Sequence, residues 1–403
     1  MHRPERYFHK IMEYRNLPSD YTIYSKVETI YRYYKAMNKH GMVDFSDRDP
    51  AKVTNDTIIA LSDGGKVSLM GERFILPQPI NILEHWITLE GMGAGTTLEL
   101  DDDVNDNVIN MGSDSVMAQK TQIKNLQING SKMFQTAGSA IKVFPGSSGI
   151  IKNCWVHDAY DHGIHLYWNN PIEITRCLIE SCGGTGIYLD DSVYRSHIID
   201  NRILYCNIGM HLRFGIDFNI IEQNHILGHS KHCILMDESW HNTIRGNHIG
   251  DADTEGAGIY DNIHLKHCDE NLFTGNYLID NNLDGDPRYG IYLDNISDNN
   301  YFYNNYLHDY RVAAVLDDGA NFFYNNPGYN YRDTQLLAVE ASPFTHTAGN
   351  RPETVYIKGG TVTNITKDGR SIFTNTDKTI DLDPFHVIVT TYAVAPTIEI
   401  CYR

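Results

Sequence analysis

Short segments of alternating apolar residues carry most of the side chains that could do chemistry in this chain. In each segment two apolar residues flank one polar or aromatic residue, as in Gly163-Ile-His-Leu and Gly186-Ile-Tyr-Leu. Successive side chains of a strand point to opposite faces, so the flanked residues should face outward. If such strands stack, one outward column reads His165, Tyr188, His211, Leu235, His264, Tyr292 and Val315, and the next reads Tyr167, Asp190, Arg213, Asp237, Lys266, Asp294 and Asp317.

Carboxylates in such a column could carry out acid–base catalysis. Glycoside hydrolysis needs two carboxyl groups about 5–5.5 Å apart for retention, or about 6.5–9.5 Å for inversion. Strands stacked at about 4.8 Å bring residues one or two coils apart close to these ranges. We therefore predict Asp190, Asp237 and Glu238 as acid–base candidates, with Arg213 and His211 stabilising charge. Close acidic pairs also arise by chance among 51 acidic residues, so solvated carboxylates are the alternative.

Rings and charges alternate along both columns, and this pattern suits a polysaccharide. Rings stack on sugar faces, and carboxylates accept hydrogen bonds from hydroxyl groups. The substrate-binding candidates are His165, Tyr167, Tyr188, His264, Tyr292 and Asp294. The alternative is a solvated face or a subunit contact, because aromatic residues are common on strands in any case.

A second outward column follows the asparagines described below. It reads Arg202, His225, His248, Tyr277 and Tyr306. It could be a rival groove, or the face that one subunit presents to another.

The elements that must position these side chains are predicted by a recurring asparagine. The recurring positions are Asn125, Asn153, Cys177, Asn201, Asn224, Asn247, Asn276, Asn305 and Asn326. Most read apolar-x-x-Asn-x-apolar, and repeats of 20 to 50 residues mark stacked architectures. A repeat of about 23 residues with two or three short strands predicts one coil of a parallel β-helix. The asparagine amides should bond from coil to coil.

The chain divides into three predicted regions. Residues 1–50 form an N-terminal arm and β-hairpin, and residues 51–330 form a right-handed parallel β-helix of about ten coils. A short helix at Asn55–Leu61 caps its open end, because stacked repeats need capping ends. Residues 335–403 change to short alternating segments separated by Gly and Asp, which predicts a small antiparallel β-sandwich.

The composition and net charge of the chain argue against several classes of partner. The formal net charge of −18 argues against nucleic acid and against anionic lipid. The seven cysteines lack zinc or disulfide spacing, so we expect buried thiols. His229, His232 and His241 also lack a metal spacing and are predicted to be surface residues, so no metal site is assigned. The sequence has no 18-residue apolar run and no apolar leader after Met1, so we expect neither membrane insertion nor a signal peptide.

Two of the longer repeats carry acidic additions. The first contains Asp251, Asp253 and Glu255, and the second contains Asp280, Asp284 and Asp286. Neighbouring loops rich in carboxylates could hold Ca²⁺, which takes six to eight oxygen ligands. The alternative is a solvated acidic loop, and no other cofactor is predicted.

Two stretches resemble known proteins. Residues 56–74, Asp56-Thr-Ile-Ile-Ala-Leu-Ser through Gly71-Glu-Arg-Phe, and the later Ile87-Thr-Leu-Glu-Gly-Met-Gly-Ala-Gly-Thr-Thr-Leu resemble the opening coils of the pectate-lyase-like right-handed parallel β-helix superfamily. The likeness extends over residues 50–330. The tail, from Asn326-Pro-Gly-Tyr-Asn to Ala395-Pro-Thr-Ile, resembles C-terminal β-sandwich modules on tail and surface proteins of phages and archaeal viruses.

The resemblance implies a fold more than a function. The superfamily contains lyases, hydrolases, epimerases, a fructotransferase and non-catalytic adhesins, and fold alone does not choose among them. With the virus-like tail, it favours a viral surface or tail-spike protein that recognises a host glycan as a homotrimer. Such a protein would contact other virion proteins and lie on the virion surface or outside the cell. The alternatives are a polysaccharide hydrolase or lyase, and a non-catalytic structural virion component.

Overall fold

An antiparallel hairpin and a helix precede the repeats. The computed structural model describes residues 19–28, 30–169, 171–256, 258–280, 287–308, 310–329 and 334–402, so the predicted arm before residue 19 lies outside them. Strands β1 (Tyr21–Glu28), β2 (Tyr31–Asn38) and β3 (Val43–Asp47) pair in antiparallel order. Helix α1 spans Pro50–Ala60 and so begins earlier than predicted. The cause is an N-cap, because the Asp49 side chain accepts a hydrogen bond from the Lys52 amide at 3.0 Å.

The repeats form a long series of short parallel strands. They are β4 (Gly65–Leu69), β5 (Arg73–Leu76), β6 (Ile80–Ile82), β7 (Ile87–Leu100), β8 (Ile109–Met111), β9 (Gln119–Asn129), β10 (Ile141–Val143), β11 (Ser148–Lys152), β12 (Trp155–His157), β13 (Ile164–Tyr167), β14 (Ile172–Thr175), β15 (Leu178–Glu180), β16 (Thr185–Asp190), β17 (His197–Ile199), β18 (Arg202–Leu204), β19 (Ile208–Asp217), β20 (Ile220–Glu222), β21 (His225–Leu227), β22 (Ile234–Trp240), β23 (Thr243–Arg245), β24 (His248–Gly250), β25 (Ile263–Lys266), β26 (Leu272–Thr274), β27 (Tyr277–Ile279), β28 (Tyr289–Leu293), β29 (Tyr301–Tyr303), β30 (Tyr306–His308), β31 (Ala313–Asp317) and β32 (Phe322–Tyr324).

These strands make three faces of a solenoid. Sheet 1 contains the ten parallel strands β6, β8, β10, β13, β16, β19, β22, β25, β28 and β31. Sheet 2 runs from β4 to β32 through β11, β14, β17, β20, β23, β26 and β29, and sheet 3 runs from β5 to β30 through β12, β15, β18, β21, β24 and β27. The long strands β7 and β9 belong to both of these sheets. The predicted parallel β-helix is confirmed.

Apolar residues from all three sheets fill one continuous core. The inward Ile, Leu and Val side chains are almost completely buried, and Phe273, Phe302 and Phe323 stack on one another at 4.6 and 4.5 Å between ring centroids. One coil alone could not bury these side chains, so the stack holds together as a unit.

Buried asparagines bond each coil to the next at the corner between sheets 2 and 3. Asn224 Nδ2 donates to Asn247 Oδ1 at 3.0 Å, and the Asn224 backbone amide donates to the same oxygen at 2.9 Å. The pattern repeats through Asn201, Asn224, Asn247, Asn276, Asn305 and Asn326. The predicted ladder is confirmed for these residues. Cys177 takes the preceding position, where its amide donates to Asn201 Oδ1 at 2.9 Å.

The first two predicted ladder members are wrong by one residue. Trp155 pairs with Leu178 and Gln127 pairs with Trp155, so Cys154 rather than Asn153 stands beside Cys177. Asn153 is exposed and bonds to Asn125 outside the core, through Nδ2 and Oδ1 at 3.1 Å. In these early coils small thiols and Leu126 fill the corner, and burial raises the pKa of the Cys177 thiol.

A second ladder, which the sequence analysis missed, lies at the corner between sheets 1 and 2. Its members are Asn219, Asn242, Asn271, Asn300 and Asn321, joined by amide bonds of 2.9–3.1 Å. Each precedes a member of the first ladder by five residues, as Asn219 precedes Asn224. The same spacing in the sequence could therefore have revealed it.

The last strand of sheet 1 is shifted by one residue from the prediction. Val315 pairs with Ile291 and is buried, whereas Leu316 pairs with Tyr292. Val315 and Asp317 therefore do not belong to the outward columns, because a shift of one residue exchanges the two faces of a strand. The Asp317 carboxylate instead accepts hydrogen bonds from Asn321 Nδ2 at 2.7 Å and Asn350 Nδ2 at 2.6 Å.

Two antiparallel four-stranded sheets follow the solenoid. Their strands are β33 (Thr334–Leu337), β34 (Phe344–Thr347), β35 (Glu353–Lys358), β36 (Thr361–Lys367), β37 (Arg370–Phe373), β38 (Lys378–Leu382), β39 (Val387–Val394) and β40 (Thr397–Tyr402). The sheets enclose a core of their own, and the predicted β-sandwich is confirmed. The Phe323 amide donates to the Asn350 carbonyl at 2.9 Å, which joins the sandwich to the last coil. Among the residues described, no helix is both long and apolar enough to cross a membrane.

Two histidines predicted to lie on the surface are buried. His229 is completely buried and His232 is 8% exposed, so for these the prediction is wrong, while His241 stays partly exposed. His229 Nδ1 accepts a hydrogen bond from the Cys206 amide at 3.2 Å, as an asparagine would at an inner corner. Burial lowers the pKa of His229 to about 4.

Removal of one ladder amide should destabilise the whole stack. In Asn247→Ala the Asn224 amide and the Ile221 carbonyl lose their partners in a buried corner. We expect the free energy of unfolding to fall by about 3 kcal/mol, measured as a shift of the urea midpoint. Asn295→Ala, at an exposed asparagine, should change it by less than about 0.5 kcal/mol. Equal midpoints for the two variants would contradict the role of the ladder.

His229 should make the fold sensitive to acid. Below about pH 6.5 the unfolded chain binds a proton at this histidine, whereas the folded chain binds it only near pH 4. The free energy of unfolding should therefore decrease as the pH is lowered from about 6.5 to about 4, by up to about 1.4 kcal/mol per pH unit from this group. In His229→Asn, thermal midpoints between pH 7 and pH 4.5 should decline less steeply than in the wild type. His40→Asn, at an exposed site, should follow the wild-type curve, and the same slope for His229→Asn would refute the assignment.

Candidate functional site

Most of the predicted columns stand in register on sheet 1. In the first column His165, Tyr188, His211, Leu235, His264 and Tyr292 pair directly from strand to strand. In the second, Tyr167, Asp190, Arg213, Asp237 and Lys266 do the same. Both rows lie on the outer face because the apolar residues between them point into the core.

The first column is more enclosed than an open strand face. Tyr188, Leu235 and His264 are only 7–8% exposed. Loops that enter sheet 1 cover them: the His162 ring lies 4.4 Å from the Tyr188 ring, and the His232 ring lies 4.5 Å from the His264 ring. We call this partly covered outer face of sheet 1, with its two columns and the two loop histidines, the groove.

Residues of the two columns contact one another diagonally, each with its partner in the next coil. His165 Nε2 lies 3.8 Å from an Asp190 oxygen, and His211 Nε2 lies 3.6 Å from an Asp237 oxygen. Between these equivalent pairs, Arg213 Nη1 donates to the Tyr188 hydroxyl at 3.0 Å and lies 3.6 Å from Asp190. The groove therefore repeats one contact, a ring beside a charge, along the solenoid axis.

Burial sets the protonation of this groove. It lowers the pKa of His165 to about 3 and that of His162 to about 4, so both imidazoles are neutral at pH 7. The neighbouring His211 and Lys266 hold the pKa of Asp237 below its ordinary value, so this carboxylate is ionised. Burial raises the pKa of Tyr188, which stays a phenol. The groove thus offers neutral rings next to charged groups.

Three imidazole nitrogens of the first column have no partner within hydrogen-bond distance among the described residues. They are the buried Nε2 atoms of His165, His211 and His264. Buried polar atoms are nearly always hydrogen-bonded, so water or a ligand should complete them. A hydroxyl group fits this position, since it can both donate and accept.

A second cluster lies further along the same face, around Asp261. Its completely buried carboxylate accepts two hydrogen bonds from Arg288, at 3.1 and 3.0 Å, and one from the Tyr289 amide at 3.1 Å. His264 Nδ1 lies 2.7 Å from the same carboxylate. This contact places the ring proton on Nδ1 and leaves Nε2 as an acceptor. The His264 ring also stacks on Tyr292 at 4.4 Å.

His232, Asp261 and His264 have ligand-type atoms within 4.8 Å of one another. Two histidines and a carboxylate are a ligand set that zinc or a similar ion could take. However, each oxygen of Asp261 already has two such contacts, and the Arg288 cation, which would repel a metal ion, makes one of the two on each oxygen. Asp261 also donates its amide to His232 Nδ1 at 3.1 Å. The residues fit a hydrogen-bonded cluster better than a metal site.

Three other predicted site residues lie at the margin of the groove. Glu238 is exposed and follows Asp237 at a φ of 46°, where the strand pairing shifts. The Tyr167 ring lies 6.3 Å from His165. The Asp294 carboxylate accepts hydrogen bonds from the Ser297 hydroxyl at 2.6 Å and the His267 amide at 3.2 Å, so it holds a turn.

The acidic additions are partly used within the fold. Asp251 and Asp253 are buried, and Asp253 accepts the amides of Gly258 and Ile259 at 2.5 and 3.1 Å. Glu255 is exposed, Asp280 is buried, and Asp284 and Asp286 lie outside the described residues. A carboxylate that caps a loop in this way is a poor candidate for Ca²⁺, which needs most of its oxygens unengaged.

The sequence analysis missed His162, His232, Asp261 and Arg288 as residues of this groove. All four come from loops that enter sheet 1. In these loops the apolar residues do not alternate, so the sequence does not show which way each side chain points. A partial signal was present, because His162 and His232 each occur just before the apolar strand segment of their coil.

The rival column on sheet 3 is also in register. Arg202, His225, His248, Tyr277 and Tyr306 pair from strand to strand. The Tyr277 and Tyr306 rings stack at 5.0 Å and are both exposed. Unlike Tyr188 and His264 on sheet 1, these two tyrosines are therefore open to solvent or to a partner.

Part of the sequence matches a known family, and the fold matches solved structures. Residues 102–286, less than half of the chain, match the family described as periplasmic copper-binding protein (NosD). No protein of curated function matches the sequence. The structure is similar to full-length tailspike protein 2 from Escherichia coli O157:H7 bacteriophage CAB120, at 9% identity and a TM-score of 0.58, over 95% of this chain and 73% of that chain.

Two further solved structures match about two thirds of the chain. The DFA-IIIase of Arthrobacter chlorophenolicus A6 matches with 14% identity and a TM-score of 0.53, over 69% of this chain and 80% of that one. The A-module of a mannuronan C-5 epimerase from Azotobacter vinelandii matches with 12% identity and a TM-score of 0.50, over 68% and 96%. At these identities the likeness concerns the fold, and the chain has the predicted right-handed parallel β-helix fold with a C-terminal β-sandwich.

Proposed function

We propose that this protein binds a polysaccharide along the outer face of sheet 1, as a viral surface or tail-spike protein that recognises a host-cell glycan. One observation carries the proposal: ring-and-charge contacts repeat diagonally from coil to coil, and the His165 and His211 nitrogens in them lie beyond hydrogen-bond distance of their carboxylates, at 3.8 and 3.6 Å. A polymer of similar units fits a surface whose own units repeat. Neutral rings pack on sugar faces, while carboxylates and imidazoles accept hydroxyl hydrogen bonds.

The virion assignment has separate support. The likeness to a phage tailspike protein extends over 95% of this chain, which includes the sandwich as well as the solenoid. The net charge of −18 disfavours nucleic acid as the ligand. A homotrimer would use a second face, and the exposed tyrosines of sheet 3 are the proposed contact. The mass in solution tests this directly, because a trimer has three times the 45.9 kDa of the chain.

Binding should depend on sheet 1 and not on sheet 3. His211→Ala removes a ring and a polar nitrogen from the groove, whereas His225→Ala removes an exposed ring from sheet 3. We expect His211→Ala to weaken binding about tenfold, a change of about 1.4 kcal/mol, and His225→Ala to leave it unchanged. The measurement is calorimetric titration with host surface polysaccharide and with a panel of neutral and uronate-containing oligosaccharides. The reverse result would transfer the site to sheet 3.

A second candidate function is enzymatic action on the same polysaccharide. Asp190 and Asp237 are two strand spacings apart, about 9.6 Å along the stack, with the Arg213 cation between them. This is close to the upper limit of the separation in inverting glycosidases, about 9.5 Å. The mannuronan epimerase and the DFA-IIIase are enzymes with this fold, and their likeness also supports an enzymatic function.

Incubation with the polysaccharide separates the two functions. New reducing ends without ultraviolet absorbance indicate hydrolysis, and absorbance of unsaturated uronates indicates a lyase. If cleavage occurs, Asp190→Asn and Asp237→Asn should each reduce its rate at least about a hundredfold while binding persists, because loss of one acid–base group typically costs this much. Full activity in both variants would remove these residues from the site. Binding without cleavage would support recognition of the polysaccharide and exclude an enzymatic function on it.

A further inference from the structure

A cavity of about 410 Å³ continues the groove beyond the ends of four strands of sheet 1. Its walls come from the turns after β8, β10, β13 and β16, which belong to consecutive coils. It therefore extends along the solenoid axis over about 14 Å, three strand spacings. The side chains that matter for its chemistry are Met117, Trp168, Asn169, Ser192 and Tyr194.

Trp168 and Tyr194 line this cavity with aromatic rings that are largely exposed. Trp168 is 58% exposed and Tyr194 is 40% exposed. Large aromatic side chains are usually buried, so two in one concave surface mark a place where a ligand packs. Serines from two turns, Ser113 and Ser115 after β8 and Ser192 after β16, also line it, which makes the cavity too polar for a purely apolar ligand.

Asn169 adds an independent sign of a ligand. It is 2% exposed, and its Nδ2 donates to the Phe144 carbonyl at 2.6 Å. That bond fixes the orientation of the amide, so the other atom is Oδ1, which has no partner within the described part of the chain. An unpaired buried acceptor in a cavity wall calls for a donor from outside the protein.

The cavity and the groove are built from the same backbone. Trp168 directly follows Tyr167 of the second column, and its amide donates to the Asp190 carbonyl at 3.1 Å. A polymer that lies along Tyr167 and Asp190 would therefore extend past Trp168. The cavity therefore adjoins the second column at the coils of Tyr167 and Asp190.

We infer that this cavity is a subsite for one sugar ring of the polysaccharide, which stacks on Trp168 and donates a hydroxyl hydrogen bond to Asn169 Oδ1. The inference rests on the proposed function and locates one end of the bound chain. A pyranose combines an apolar face with hydroxyl donors, the two features that the exposed rings and the unpaired oxygen require. The volume lies in the range of small-ligand sites, about 300–1,000 Å³.

The test uses Trp168→Ala and a matched control. Trp86 is also an exposed tryptophan with a left-handed backbone, at φ 62° compared with 47° for Trp168, but it lies outside the cavity. Calorimetric titration of the full chain with a length series of oligosaccharides from the bound polysaccharide measures both. We expect Trp168→Ala to weaken binding of the longer oligosaccharides about tenfold, with no change for the shortest that still bind. Trp86→Ala should match the wild type.

Trp168→Phe keeps a ring and should restore most of the affinity, which separates stacking from a folding defect. Equal thermal midpoints for all three variants complete that control. If Trp168→Ala binds long oligosaccharides as tightly as the wild type, while His211→Ala is weakened, the subsite is refuted and the groove stands. If the wild type binds no polysaccharide, the groove and the subsite are both refuted.

Discussion

The structure depends on the in-register stacking of coils, and the buried asparagine amides enforce that register. An asparagine side chain placed at a corner accepts two hydrogen bonds from the coil before it and donates to the coil after it. A coil that slipped by one residue would lose these bonds and would also turn its apolar residues outward. Two such ladders, at two corners of the same coils, fix strands β20, β23, β26, β29 and β32 of sheet 2 at both ends.

Because the coils stack in register, residues that recur in the sequence become neighbours on one surface of the solenoid. Once each strand of sheet 1 lies directly on the last, residues about 23 positions apart in the chain become neighbours, as His165 and Tyr188 do. The diagonal contacts of the groove then arise from the ordinary geometry of adjacent strands. No loop has to bring Arg213 to Tyr188, because the backbone already places them within reach.

The fold and the two columns could be predicted from the sequence because they follow from periodicity. The asparagine repeat and the alternation of apolar residues identify the coil, the face and most of the neighbours on sheet 1. The errors came where periodicity weakens: Asn125 and Asn153 lie one residue from the corner that Leu126 and Cys154 fill, and Val315 takes a core position in the last coil. The closure of the groove could not be predicted, because His162, Asp261 and Arg288 come from loops whose path depends on packing between coils.

The sandwich meets the solenoid at its final coil, where the Phe323 amide bonds to the Asn350 carbonyl and Asp317 bonds to the Asn350 side chain. A parallel stack has no natural last strand: its terminal backbone groups are a template on which any extended chain could add itself. The loop at Asn350 takes up one of these groups, the Phe323 amide, and so places the sandwich at the end of the stack. In that position the sandwich should hinder the addition of further strands and thereby protect the protein from growth into fibrils.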